Sequence, residues 1–115
     1  MTTYETINNK ILVVKLKEVI TVSEAMSFST LINQIVSSKG FRYIIIDFQS
    51  VTIVSSAFLS ALLSLKKILL DIGGEVVLTS LNNGVKRVLE LAEIIELFRI
   101  FPTLEDGKDY FLKKV

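Results

Sequence analysis

Ser55 and Ser56 stand side by side in the stretch Val51 to Gly74, VTIVSSAFLSALLSLKKILLDIGG, where a strand-like segment gives way to a long run of helix formers. Their hydroxyls are the groups best placed for chemistry, and that chemistry is the acceptance of a phosphate. A helix leaves its first four N–H groups without internal partners, and its peptide dipoles favour negative charge at that end. A phosphate on a serine there is tolerated by the fold, and its roughly −1.5 to −2 charges would spoil a partner surface packed on the same spot. The plainer account of the pair is structural: Ser55 or Ser56 caps the helix by accepting from one of its free N–H groups.

Nucleophilic and metal chemistry lack their parts. The chain has no His and no Cys, and neither a G-x-x-x-x-G-K-S/T nor a G-x-G-x-x-G run, so base pairs for a nucleophile, metal clusters and nucleotide cradles are missing. A binding protein without metal or cofactor is expected, not an enzyme. Asp47 is a lone carboxylate at the end of a strand pattern and reads as a turn or capping group. The basic pairs Lys66-Lys67, Lys86-Arg87 and Lys113-Lys114 do not form one stripe, and a net charge of +1 gives no argument for nucleic acid.

The elements that must position the serines follow from pattern. Ala57 to Leu70 contains neither Gly nor Pro and predicts a helix of about four turns, closed by Gly73 and Gly74. Ahead of it, Tyr4 to Ile7 and Ile11 to Leu16 read as a hairpin turned at Asn8-Asn9, with Ile11 to Val14 covered on both faces. Thr21 with Glu24 is a capping box opening a helix to about Ser38, stopped at Gly40, whose core stripe is Ala25, Phe28, Ile32, Ile35 and Val36. Phe41 to Phe48 is a strand, as is Glu75 to Thr79. Asn82 or Asn83 caps a short helix to about Leu91 with Val85, Val88 and Leu89 inward; Leu97 to Phe101 is a last strand, and Thr103 opens a final helix to about Lys113.

The order β-β-α-β-α-β-α-β-α implies crossover units, hence an α/β fold with a mixed, mostly parallel sheet and helices packed on it. The loop Val19 to Ser23 and the junction Val54 to Ala57 both lead from strands into helices, so they should share one edge and one surface. At 115 residues the chain is expected to be a single domain, 1–115. Mean hydropathy is high, +0.56, which prompts self-association as a possibility to be tested. Yet no apolar run approaches the roughly 20 residues of a membrane span. The N-terminus lacks the marks of a signal peptide and Cys is absent, so a cytoplasmic protein is expected.

Three runs carry a family resemblance: IIIDF with VTIVSSAFLSALL, then LLDIGGEVVLTSL, then GVKRVLELAEIIELFRIFPTLEDG. Over nearly its whole length the chain resembles a STAS domain, the fold of the bacterial anti-sigma factor antagonists. In that family an Asp-Ser-Ser/Thr-Gly-Leu sequence heads the central helix, and its first Ser is phosphorylated by the cognate anti-sigma factor. Counted back from Gly73-Gly74 without gaps, the Asp falls on Ser55, the phosphorylated Ser on Ser56, the next Ser/Thr on Ala57, the Gly on Phe58 and the Leu on Leu59. A second family signature, a Gly two residues ahead of Leu-Asp, falls on Glu18 and Thr21 and is absent.

The resemblance implies a protein that docks on an anti-sigma factor with serine kinase activity and is released by phosphorylation at Ser56, with Ser55 the second candidate. It implies a partner surface of Thr21, Val22, Ser23, Ser55, Ser56, Phe58, Leu59 and Ser60, in which Phe58 is an anchor if it points outward and core if it does not. A phosphatase is a further candidate partner. The alternative is a STAS module without the switch, a constitutive subunit of a signalling or transport complex, which the missing Asp and the high apolar content favour.

Overall fold

The structure, a computed structural model, describes residues 2–115. Strand β1 (Thr3–Ile7) pairs antiparallel with β2 (Ile11–Lys15). Asn8 and Asn9 between them both sit at φ 54°, the left-handed conformation that a two-residue hairpin turn of this hand demands and that Asn tolerates. β4 (Tyr43–Asp47), β6 (Glu75–Thr79) and β7 (Arg99–Phe101) then add in parallel, giving one sheet in the order β1-β2-β4-β6-β7. The mixed, mostly parallel α/β architecture is the one the element order implied.

Because side chains alternate along a strand, β2, β4 and β6 feed two separate cores. Leu12, Val14, Ile44, Ile46, Val76 and Leu78 face the helices α1 (Val22–Lys39), α2 (Ser56–Asp71) and α3 (Asn83–Leu91). Ile11, Val13, Ile45 and Val77 point the other way, where α4 (Leu104–Leu112) covers them with Phe111. The central strands are thus buried on both faces, as the unbroken apolar run in β2 required.

Each helix begins on the side chain that its sequence offers. Thr21, Ser55, Asn82 and Thr103 accept from the N–H groups of Glu24, Phe58, Val85 and Asp106. α2 closes on the paired bonds Gly73 N–H to Leu70 O (3.2 Å) and Gly74 N–H to Leu69 O (2.7 Å), with Gly73 at φ 75°. A side chain at Gly74 would run into the Arg42 carbonyl, so the turn also fixes how closely α2 returns to the sheet.

Four readings need correction or refinement. Asp47 is neither a turn nor a cap: it is the last residue of β4, 3% exposed, and accepts a 2.8 Å hydrogen bond from the Thr79 hydroxyl. Val88 is exposed, because α3 touches little besides the edge of the core and its buried stripe is only Val85 and Leu89 wide. The last strand is shorter than expected, since Ile95–Leu97 forms a 3-10 turn before β7. Two-residue strands β3 (Val19–Ile20) and β5 (Ile53–Val54), invisible to a pattern search, pair in parallel beside the main sheet.

Candidate functional site

The pairing of β3 with β5 builds the site. Val19 lies opposite Ile53 and Ile20 opposite Val54, the Glu18 carbonyl accepts from the N–H groups of Thr52 (2.8 Å) and Ile53 (3.3 Å), and Ser55 N–H donates to Ile20 O (3.1 Å). These bonds hold the entrances of α1 and α2 against each other. The loop before α1 and the junction before α2 therefore make one surface at one edge of the sheet, as their position after strands implied.

On that surface the two serines divide their duties. Ser55 has extended backbone (φ −77°, ψ 156°) and its hydroxyl accepts from Phe58 N–H at 3.2 Å, so it is the cap and is half-buried. Ser56 is the first residue of α2 and exposed. Its hydroxyl is left out of the cap, beside the N–H groups of the first turn that have no helical acceptor. The arrangement offers a hydroxyl to an incoming phosphoryl donor and a positive helix end to the product.

Around Ser56 lie Thr21, Ser23 and Ser60, all exposed, and Leu59, half-buried. Val22 is 57% exposed. Phe58 is the exception among the expected contact residues. Its side chain is 0% exposed and packs 4.9 Å from the Phe28 ring and 6.3 Å from that of Phe48, centroid to centroid. It turns inward because the third residue of α2 faces α1 and the sheet, and an anchor role for it is excluded. Val19 and Ile53, the latter 59% exposed, join the surface instead. Their two-residue strands are too short for alternation to tell outward from inward, so no sequence signal pointed to them.

The electrostatics of the surface are sparse. Glu24 is engaged by Lys17 at 3.2 Å and by the Thr21 hydroxyl at 3.3 Å. Behind the site, burial pushes the Tyr4 phenol above its ordinary range. Tyr4 lines, with Leu16, Ile20, Phe28 and Phe58, a crevice of about 190 Å³. Among the described residues no group of three or more His, Cys, Asp or Glu is placed to hold a metal ion, and no helix is long and apolar enough to cross a membrane.

The family model of the STAS domain matches residues 4–107. No curated protein matches the chain. Among solved structures, the chain is similar to an anti-sigma factor antagonist from Mycobacterium paratuberculosis, with 21% identity, a TM-score of 0.80 and coverage of 96% of this chain and 92% of that one. It is similar to the Bacillus cell fate determinant SpoIIAA in its phosphorylated form, at 14% identity, TM-score 0.79 and coverage of 96% and 99%. It is also similar to a sulfate transporter family protein from Wolinella succinogenes, at 13% identity, TM-score 0.79 and coverage of 92% and 88%. At these identities the likeness is one of fold.

Proposed function

The chain belongs to the STAS domain family, and on that footing we propose that it is a regulatory binding module of the anti-sigma factor antagonist kind, with no catalytic activity of its own. Its partner is an anti-sigma factor that is also a serine kinase, docked on the surface of Thr21, Val22, Ser23, Ser55, Ser56, Leu59 and Ser60. Phosphorylation of Ser56 sets a dianion in that surface and releases the partner, since an interfacial charge without a counter-charge costs several kcal/mol. A phosphatase restores the docking form, and the exchange takes place in the cytoplasm.

The observation that supports this reading is the division of labour at the head of α2. Ser55 holds the cap while Ser56 stands exposed at the first helical position. Intact-mass analysis of the protein from its own cells, wild type beside Ser56→Ala and Ser55→Ala, tests it. One added phosphate that vanishes only in Ser56→Ala is the expected result; a phosphate kept in Ser56→Ala, or none in growing, starved or stressed cells, removes the switch.

A second reading draws on Ser55 and Phe58, which stand where the family's Asp and Gly would be. It takes the chain as a STAS module that has lost the switch and serves as a constitutive subunit, a role also in keeping with the similarity to the transporter family protein. Partner capture that is unaffected by Ser56→Ala and by Ser56→Asp is its signature.

A further inference from the structure

The fold brings together three cations that are far apart in the sequence. Lys10 in the hairpin turn, Arg42 in the loop between α1 and β4, and Lys114 beyond α4 line one hollow of about 380 Å³, and no Asp or Glu lines it with them. All three are exposed. Elsewhere Lys15, Lys17, Arg99 and Lys108 pair with Glu5, Glu24, Glu75 and Glu105. Among the described residues no carboxylate, that of Val115 included, lies within 4.0 Å of the charged nitrogens of Lys10, Arg42 or Lys114. Glu75, opposite Tyr43 in the sheet, is taken by Arg99 and, at 2.7 Å, by the Tyr110 hydroxyl. Helix C-termini attract cations, which accounts for Lys114 after α4. It does not account for Lys10 in a hairpin turn, nor for three cations sharing one hollow.

We propose that this hollow binds a compact anion carrying two or more phosphate groups, free in solution. Gathered like charges repel, and a multivalent anion among them removes that cost. The guanidinium fork of Arg42 matches a pair of phosphate oxygens, and the two ammonium groups serve as point charges beside it. Asn9 and Tyr43, which also line the hollow, add an amide and a hydroxyl able to donate. The volume lies within the range of small-molecule sites. The Tyr43 ring is already engaged, with the Arg42 guanidinium 5.9 Å from its centroid and the Phe111 ring at 5.1 Å, so the ligand is recognised by charge rather than by stacking. The hollow sits where β4 begins, at Tyr43, whereas the surface around Ser56 follows the strand ends. It shares no residue with that surface.

Isothermal titration calorimetry of the whole chain with pyrophosphate, at about 150 mM salt, tests the proposal. One site per chain is expected, with a Kd below about 1 mM. Lys10→Gln and Arg42→Gln are each expected to weaken binding about tenfold, through loss of a charge-assisted contact, with unchanged melting curves in the absence of ligand. Lys67→Gln, the same loss of charge at an exposed position on α2, is expected to leave the affinity unchanged. No binding at about 10 mM pyrophosphate overturns the proposal, as does equal weakening by Lys67→Gln, or binding that survives both Lys10→Gln and Arg42→Gln. Sulfate held as tightly as pyrophosphate marks an adventitious ion only and overturns it too. Cosedimentation with phosphatidylcholine vesicles containing phosphatidic acid separates a lipid headgroup from a free ligand. No capture is expected; capture that Lys10→Gln and Arg42→Gln abolish places the phosphate on a lipid, against the proposal. Each outcome is independent of whether Ser56 carries phosphate.

Discussion

Replacing Phe58 by Ala removes the ring on which the helices and the sheet meet at the site. The side chain is fully buried and touches Phe28 of α1 and Phe48 beyond the end of β4, so little can move in to fill the space. Phe-to-Ala changes in such cores cost about 3–5 kcal/mol. Two aromatic contacts argue for the upper half of that range, while the better helix propensity of Ala returns about 0.5 kcal/mol. A loss of about 4 kcal/mol is expected, a large part of the roughly 5–15 kcal/mol that holds a domain together. For a chain of this length it lowers the melting temperature by roughly 16 °C, at about 4 °C per kcal/mol. Urea unfolding followed by circular dichroism gives the free energy and the slope m together; Phe58→Leu, which keeps most of the volume, is expected to lose only about 1 kcal/mol. A Phe58→Ala protein within about 1 kcal/mol of wild type at unchanged m would refute the inward placement.

Other perturbations read other parts of the same argument. Ser55→Ala is expected to cost about 1 kcal/mol in the urea experiment through loss of the bond to Phe58 N–H, without removing the Ser56 hydroxyl. Thr79→Val leaves the buried Asp47 carboxylate without its 2.8 Å donor and is expected to cost about 1–3 kcal/mol, whereas Thr79→Ser keeps the donor and costs less. Alkaline pH is expected to weaken the fold through Tyr4: with the phenol raised by burial, the folded chain holds that proton more tightly than the unfolded one. Stability then falls as the pH rises above about 10. Tyr4→Phe should flatten that part of a stability-against-pH curve; an unchanged curve would assign the loss elsewhere.

Much of this was legible because local rules and tertiary demands agree. Thr21, Ser55, Asn82 and Thr103 are strong caps followed by helix formers, and the Asn pair and the Gly pair meet backbone conformations few other residues accept. What escaped depends on contacts far apart in sequence. The carboxylate of Asp47 finds its partner 32 residues on, and neither residue alone signals the other. The orientation of Phe58 was ambiguous because α2 is apolar over most of its circumference, so periodicity does not single out one face. Ser55 and Ser56 are chemically alike; only the extended backbone of the first decides which is the cap.

The unequal cover of the sheet sets the order in which the fold can come apart. On one side α1, α2 and α3 share a broad core, but on the other the nine-residue α4 is the helix that covers Ile11, Val13, Ile45 and Val77, with Phe111 buried and Leu104 and Tyr110 half-buried against them. Opening free energies within a fold follow the contacts that must be broken, so α4 detaches at lower cost than α2, and its amides should exchange with solvent ahead of those in α2. What it uncovers is a row of β-branched side chains on neighbouring strands, a surface apt to pair with other chains. While the short last helix stays docked, that surface stays covered.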